Sequence, residues 1–419
     1  MALSDSPNKT AAASLLALSL LAIWGTWGIG GRTGFLGLLK DALEAKIQRL
    51  PVVNEPVKQF YTGIGPIDHF IRRLNMFLWP AIDGTWPGLC LVAWELNGQF
   101  SAAWMIAGIE GLRQGNRGKL ISYTTIFGLI SQTFTFAVTV PFYLSLHLLT
   151  SPTSLATLQP PTNDIDPSAA FLVNPARLLA WPIAFTLSYL LPTFLVTLPC
   201  PSYTSFSTRQ TIMAFWDLYP IPFKLLQIVL VRVFTSILPP PINPKSKPQS
   251  LPHRKALTLH LLGAIYAFSA LVSGLSHIIT LTLSLSPLLF PALFTPAARD
   301  SLSFGNIFVP VSPWYNEKVE HLGGGLWRFL VWNLAVSEVA PLVWAGVAYW
   351  NARLRFAGGE GGKGGEDRVR GNGWGVWGAV VGKIAALTLI GGPGVAIAWL
   401  AWEREKIVLG PLRVSKRIE

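Results

Sequence analysis

Nine apolar runs, most of them close to the length of a bilayer crossing, leave this 419-residue chain few folds to adopt. They cover 11–31, 75–93, 96–113, 120–149, 171–198, 208–238, 257–285, 326–350 and 374–402. About 20 apolar residues span the hydrocarbon core as a helix. The pattern therefore predicts an all-α, polytopic transmembrane helical bundle of about eight to nine spans, with 286–298 as a possible re-entrant piece. Only 13% of the residues are charged, roughly half the soluble norm. That excludes the two- or three-domain soluble protein that length alone allows.

The first run follows one lysine, Lys9, and lacks a small-residue cleavage pattern, so residues 1–35 are expected to form a retained anchor helix. A basic connector, 36–73, carries Lys40, Lys46, Arg49, Lys58, Arg72 and Arg73. The leucine spacing of Leu36–Leu50 suits an amphipathic interfacial helix. The bundle proper is expected over 74–402, with flexible loops near 151–168, 239–252 and 357–373 and a basic tail over 403–419. Pro220 and Pro222 interrupt the run 208–238, which predicts a kinked helix or two half-helices. There is no internal repeat, which weighs against inverted-repeat transporter folds.

The formal net charge is +12, and its Lys and Arg residues cluster between the apolar runs. Membrane proteins anchor to headgroups in that way. Nucleic acid is not an expected partner, because no basic patch is interleaved with aromatics. A multi-pass protein of the endoplasmic reticulum or another endomembrane is expected, in contact with membrane lipid. Cys90 and Cys200 read as two buried thiols, and the six histidines are scattered without zinc spacing. No aspartate-rich magnesium motif is present; the closest string is Asn163-Asp164-Ile165-Asp166-Pro167. Neither a metal nor a cofactor is expected.

Function is most legible in the few acids that lie in or against apolar runs. Asp83, Glu95, Glu110, Asp217 and Glu338 are of this kind. An ionised carboxylate in hydrocarbon is expensive, so such groups are paired, protonated or turned to an internal cavity. Asp83, among Pro80, Gly84 and Pro87, either faces a chamber or caps a broken helix. Glu95 and Gln99 are four apart and share a helix face flanked by Trp94 and Trp104. A carboxyl and an amide beside indole rings suit an oxygen on a greasy ligand. Glu110 and Arg113 share a face at i, i+3 and read as an ion pair at a helix end or as a polar mouth for a headgroup. Asp217 precedes the Pro220 break, and Glu338 sits mid-span without a nearby Lys or Arg. Asp83, Glu95, Asp217 and Glu338 are the candidate catalytic acids or bases. Gln99, Glu110, Arg113, Trp94 and Trp104 are the candidate orienting residues.

Residues 77–152 add a resemblance. It is carried by the Pro80/Asp83-Gly84 turn, Gly98-Gln99, Ala103-Trp104, Glu110, Arg113, Gly115-Asn116, Gln132, Pro141, Leu146-His147-Leu148 and Ser151-Pro152. This pattern is similar to the fungal membrane-bound terpene cyclases of ascofuranone-type meroterpenoid pathways. The resemblance implies a metal-free cyclisation in which a carboxylic acid protonates the terminal epoxide of a prenylated aromatic. A small-molecule or lipid transporter using the same acids as a proton relay or headgroup site is the alternative. A membrane scaffold with purely structural acids is a third.

Overall fold

The computed structural model describes residues 6–154, 166–237, 250–356 and 373–410. The expected loops fall largely outside these residues, as does most of the expected tail. Among the described residues there are helices and no strand, with one isolated bridge between Arg49 and Pro56. The longer helices are α1 (Pro7–Arg32), α2 (Phe35–Glu44), α3 (Gly65–Leu78), α4 (Pro87–Leu112), α5 (Thr124–Phe134), α6 (Phe136–Thr150) and α7 (Pro167–Val196). After them come α8 (Phe206–Asp217), α9 (Pro220–Ile237), α10 (Leu251–Leu289), α11 (Leu322–Phe356), α12 (Gly373–Gly391) and α13 (Pro393–Leu409).

Five of these, α1, α7, α9, α10 and α11, are long and apolar enough to cross a membrane, fewer than the eight to nine expected. The reasons are local. The runs 75–93 and 96–113 are not two spans. Pro87 occupies the first turn of the single 26-residue helix α4, where its missing N–H costs nothing. The residues before it, Trp79–Ala81 and the left-handed Gly84, form a turn. The run 120–149 breaks at Thr135 into helices of 11 and 15 residues. The run 208–238 ends one helix at Asp217 and starts another at Pro220, the two-helix form of the Pro break. Gly392, at φ +82°, separates α12 from α13 within 374–402.

Packing makes α4 the central helix. It is buried along nearly its whole length and meets α10, α11 and α13. A helix apolar all round is one enclosed by others. α1 lies against α6 and α11, and α9 against α7. Residues 403–409, expected as the start of a tail, continue α13, with Arg404 and Glu405 fully buried. Asn8, in the sequon Asn8-Lys9-Thr10, is buried too. Its amide donates to Leu148 O and Ser154 O, and its carbonyl accepts from Asn351 at 2.7 Å. Cys90 and Cys200 are free thiols, half-buried rather than buried.

Candidate active site

A cavity of about 620 Å³ opens between α3, α4, α7, α8 and α11. This is within the usual range for small-molecule sites. On α4, Cys90, Trp94, Asn97 and Phe100 recur every three to four residues and so present one face to it. Phe77, Phe136, Tyr189, Trp216 and Phe329 complete an aromatic lining. The rings brace one another: Phe100 lies 4.5 Å edge-on from Phe136 and 4.8 Å from Tyr189. Ile279 and Leu283 of α10, both exposed, form part of the outer rim.

Among the four candidate acids, none is itself a wall residue. Asp83 lies between the wall residues Ile82 and Gly84, Glu95 between Trp94 and Leu96, and Asp217 directly after Trp216. Asp83 accepts from the Thr85 N–H at 2.8 Å through Oδ1, while Oδ2 is buried without a partner. Burial pushes its carboxyl up, opposed by the Thr85 hydrogen bonds and the Arg209 charge. Arg209 itself donates to Ile82 O at 3.1 Å. Asp217 is fully buried, and neither carboxyl oxygen has a hydrogen-bond partner among the described residues. Glu338, on α11, leaves Oε1 buried and unpartnered.

Glu95 belongs to a buried cluster between α4, α10 and α13. Its Oε1 is 2.7 Å from His277 Nδ1 and 3.0 Å from Gln99 Nε2. Gln99 Oε1 accepts from Ser273 Oγ and the Gly394 N–H, each at 2.8 Å. His277 Nε2 lies 3.3 Å from Leu389 O, which only accepts, so that nitrogen carries a proton. Only glycine fits at 392, because a Cβ there would lie 2.5 Å from Gln99 Nε2.

Glu110 and Arg113 lie roughly 22 Å farther along α4, at 1.5 Å per residue, in a second buried cluster. Arg113 Nε donates to Glu110 Oε1 at 2.9 Å, and its terminal nitrogens reach Glu405 Oε1 at 2.6 Å and Phe171 O at 2.8 Å. Arg404 bonds both carboxylates. Trp344 Nε1 donates to His147 Nδ1 at 3.0 Å, which fixes the neutral tautomer whose Nε2–H meets Glu110 Oε2 at 3.1 Å. Two guanidinium groups therefore balance two carboxylates. Trp94 is a wall residue, whereas Trp104 stacks behind Phe100 at 6.3 Å and is buried.

The structure thus brings Glu95 and Gln99 together and joins Glu110 to Arg113, while Asp83 and Asp217 stand apart from both pairs. Sequence reasoning missed Arg404 and Glu405, whose partners are close only in the fold. It also missed two polar wall residues, Thr135 and Asn333. Thr135 sits at φ +79°, an outlier for a β-branched side chain.

Comparison with known proteins gives the lineage. The CtvD domain model matches residues 10–409. A terpene cyclase of Penicillium crustosum, penA, is 25% identical over 92% of this chain and 94% of its own. The Aspergillus terreus terpene cyclase ctvD is 27% identical, covering 94% of this chain and 98% of its own. The Acremonium egyptiacum terpene cyclase ascI is 27% identical over 94% and 91%. No solved structure matches. With nearly its whole length inside that domain model, the chain belongs to the CtvD-domain family.

Proposed function

We propose that this protein is a membrane-bound terpene cyclase that binds an epoxidised prenyl chain of a meroterpenoid in the 620 Å³ cavity and closes it into a ring. The observation that carries the reading is the aromatic lining of a largely apolar chamber, in a chain whose relatives are named terpene cyclases. In the proposed step a carboxylic acid transfers its proton to the epoxide oxygen as the carbon–oxygen bond breaks. The electron-poor carbon is attacked by an alkene of the same chain, which forms the new carbon–carbon bond. The resulting cation loses a proton to a carboxylate or is captured by a hydroxyl. The product is an isomer of the substrate, and no electrons are exchanged.

Three properties support this chemistry. Ring faces stabilise a desolvated cation by roughly 0.5–2 kcal/mol each, and Trp94, Phe100, Tyr189, Trp216 and Phe329 surround the space. An apolar wall keeps water from quenching the cation. Asp217 follows a wall residue and has no protein hydrogen bond to either oxygen. A buried carboxyl without a partner is costly as an anion, which suits a group that carries a proton and hands it on. We assign Asp217 as the foremost proton donor, with Asp83 at the cavity edge and the Glu95–His277 pair as the other acid–base groups beside it.

Microsomes containing the protein, supplied with an epoxyfarnesyl phenol, should yield a product of equal mass and different retention. Asp217→Asn should lower that turnover by about 10²-fold or more, the usual scale of general acid catalysis. Substrate crossing sealed vesicles unchanged, with no isomer from any epoxyprenyl aromatic, would instead establish the transport reading.

A further inference from the structure

The joint between α5 and α6 places a polar strip in the cavity wall, formed by Gln132, Thr135 and Asn333. Asn333, on α11, is 6% exposed. Its Oδ1 accepts the Ala137 N–H at 2.9 Å, one of the donors left without a partner in the first turn of α6. A backbone N–H only donates, so the amide oxygen faces α6 and Nδ2 points the other way. No hydrogen bond from Nδ2 exists among the described residues, and the side chain lines the cavity. The helix N-terminus draws electron density toward Oδ1 and so sharpens Nδ2 as a donor. The Gln132 side chain, also in the wall, makes no hydrogen bond to a described residue. Thr135, between them, holds φ +79°. Such strain persists where the surroundings over-determine it, and it clusters at ligand sites.

An amide donor that lines the cavity and has no partner among the described residues is free to donate to a ligand oxygen. We infer that Asn333 and Gln132 bind an acceptor oxygen, a carbonyl or ether, on an otherwise apolar molecule. They would hold its oxygenated end at the α5–α6 joint while the hydrocarbon chain lies against Phe100, Trp94 and Trp216. This inference rests on the cavity being the substrate chamber, and it adds how the substrate is oriented. Asp217 is on a different wall element, α8, so the anchored oxygen is a spectator and not the one protonated.

Equilibrium binding to the purified full chain tests the idea, with quenching of tryptophan fluorescence as the signal. Two probes are compared, a farnesyl aryl ketone and the same molecule with a methylene in place of the carbonyl. The unsubstituted protein should prefer the ketone about tenfold, the scale of one buried hydrogen bond. Asn333→Asp keeps an oxygen for the Ala137 N–H but removes the donor, and should abolish that preference. Gln132→Leu breaks no hydrogen bond of the described fold and should reduce the preference several-fold. If Asn333→Asp fails to fold, Gln132→Leu decides alone. Equal binding of the two probes by the unsubstituted protein overturns the inference, as does an undiminished ketone preference in the folded variants. Because the readout is binding, a retained ketone preference without cyclisation would count against the reaction, whereas cyclisation without the preference would count against this site.

Discussion

Replacing Glu110 by Gln perturbs a carboxylate held by four buried side chains. It accepts from Arg113 Nε, Arg404, His147 Nε2 and Thr153 Oγ1, the last at 3.0 Å, and all of these side chains are buried. The cluster is neutral, with Arg113 and Arg404 against Glu110 and Glu405, and His147 held uncharged by Trp344. Glu110→Gln leaves one uncompensated positive charge away from water. Removing one partner of a buried pair costs about 3–5 kcal/mol. Deleting a cation as well, in Glu110→Gln/Arg404→Met, restores neutrality and leaves the Arg113–Glu405 pair, bonded at 2.6 and 3.3 Å. The double variant should therefore lose less stability than Glu110→Gln and Arg404→Met added together, by about 0.5–3 kcal/mol, the coupling expected within one network. Thermal unfolding of the detergent-solubilised protein, followed by tryptophan fluorescence, reads both effects. A Glu110→Gln protein as stable as the unsubstituted one would refute the argument, and so would a double variant whose loss equals or exceeds the sum of the two single losses.

Other consequences are as direct. A Cβ on Gly98 would fall 2.2 Å from Ser276 Cβ, so Gly98→Ala should destabilise by about 1–3 kcal/mol as α4 and α10 separate; thermal melts should show relief in Gly98→Ala/Ser276→Gly. Asp68, at the start of α3, accepts the backbone N–H of Thr62, then its hydroxyl and the N–H groups of Tyr61 and Gly63, which hold its carboxyl below the usual range. A depressed folded pKa means stabilisation present above the unfolded value of about 3.9 and lost as pH falls through the folded one. Proteolysis between residues 59 and 64 should accordingly rise below about pH 4 in the unsubstituted protein and show no such step in Asp68→Ala. Asp83→Asn should lower turnover less than Asp217→Asn if the assignment of the proton donor is right, as isomer formation in microsomes would show.

The helical class was legible because long apolar runs carry it without help from tertiary structure, and five of the resulting helices are long and apolar enough to cross a membrane. Their number was not. Thr135 ends α5 at a positive φ, with neither Gly nor Pro nearby to mark the break. Pro87 was read as a breaker inside a span, yet it begins α4, and that shift moves Asp83 from mid-span into a turn. Periodicity located the Glu95–Gln99 and Glu110–Arg113 pairs, since three and four residues separate neighbours on a helix face. It said nothing of His277, Arg404 and Glu405, which meet them across as many as 294 positions of sequence. Asn333 left no signal of its own, because its role depends on which way the α6 N-terminus turns its amide.

Whether the aromatic chamber holds the substrate is answered most directly by electron cryo-microscopy of Asp217→Asn protein soaked with an epoxyfarnesyl aromatic ketone. The account predicts ligand density among Trp94, Phe100, Trp216 and Phe329, with its carbonyl at Asn333 and its epoxide on the Asp217 side. Density lying elsewhere, with this chamber empty or filled by lipid, would contradict it.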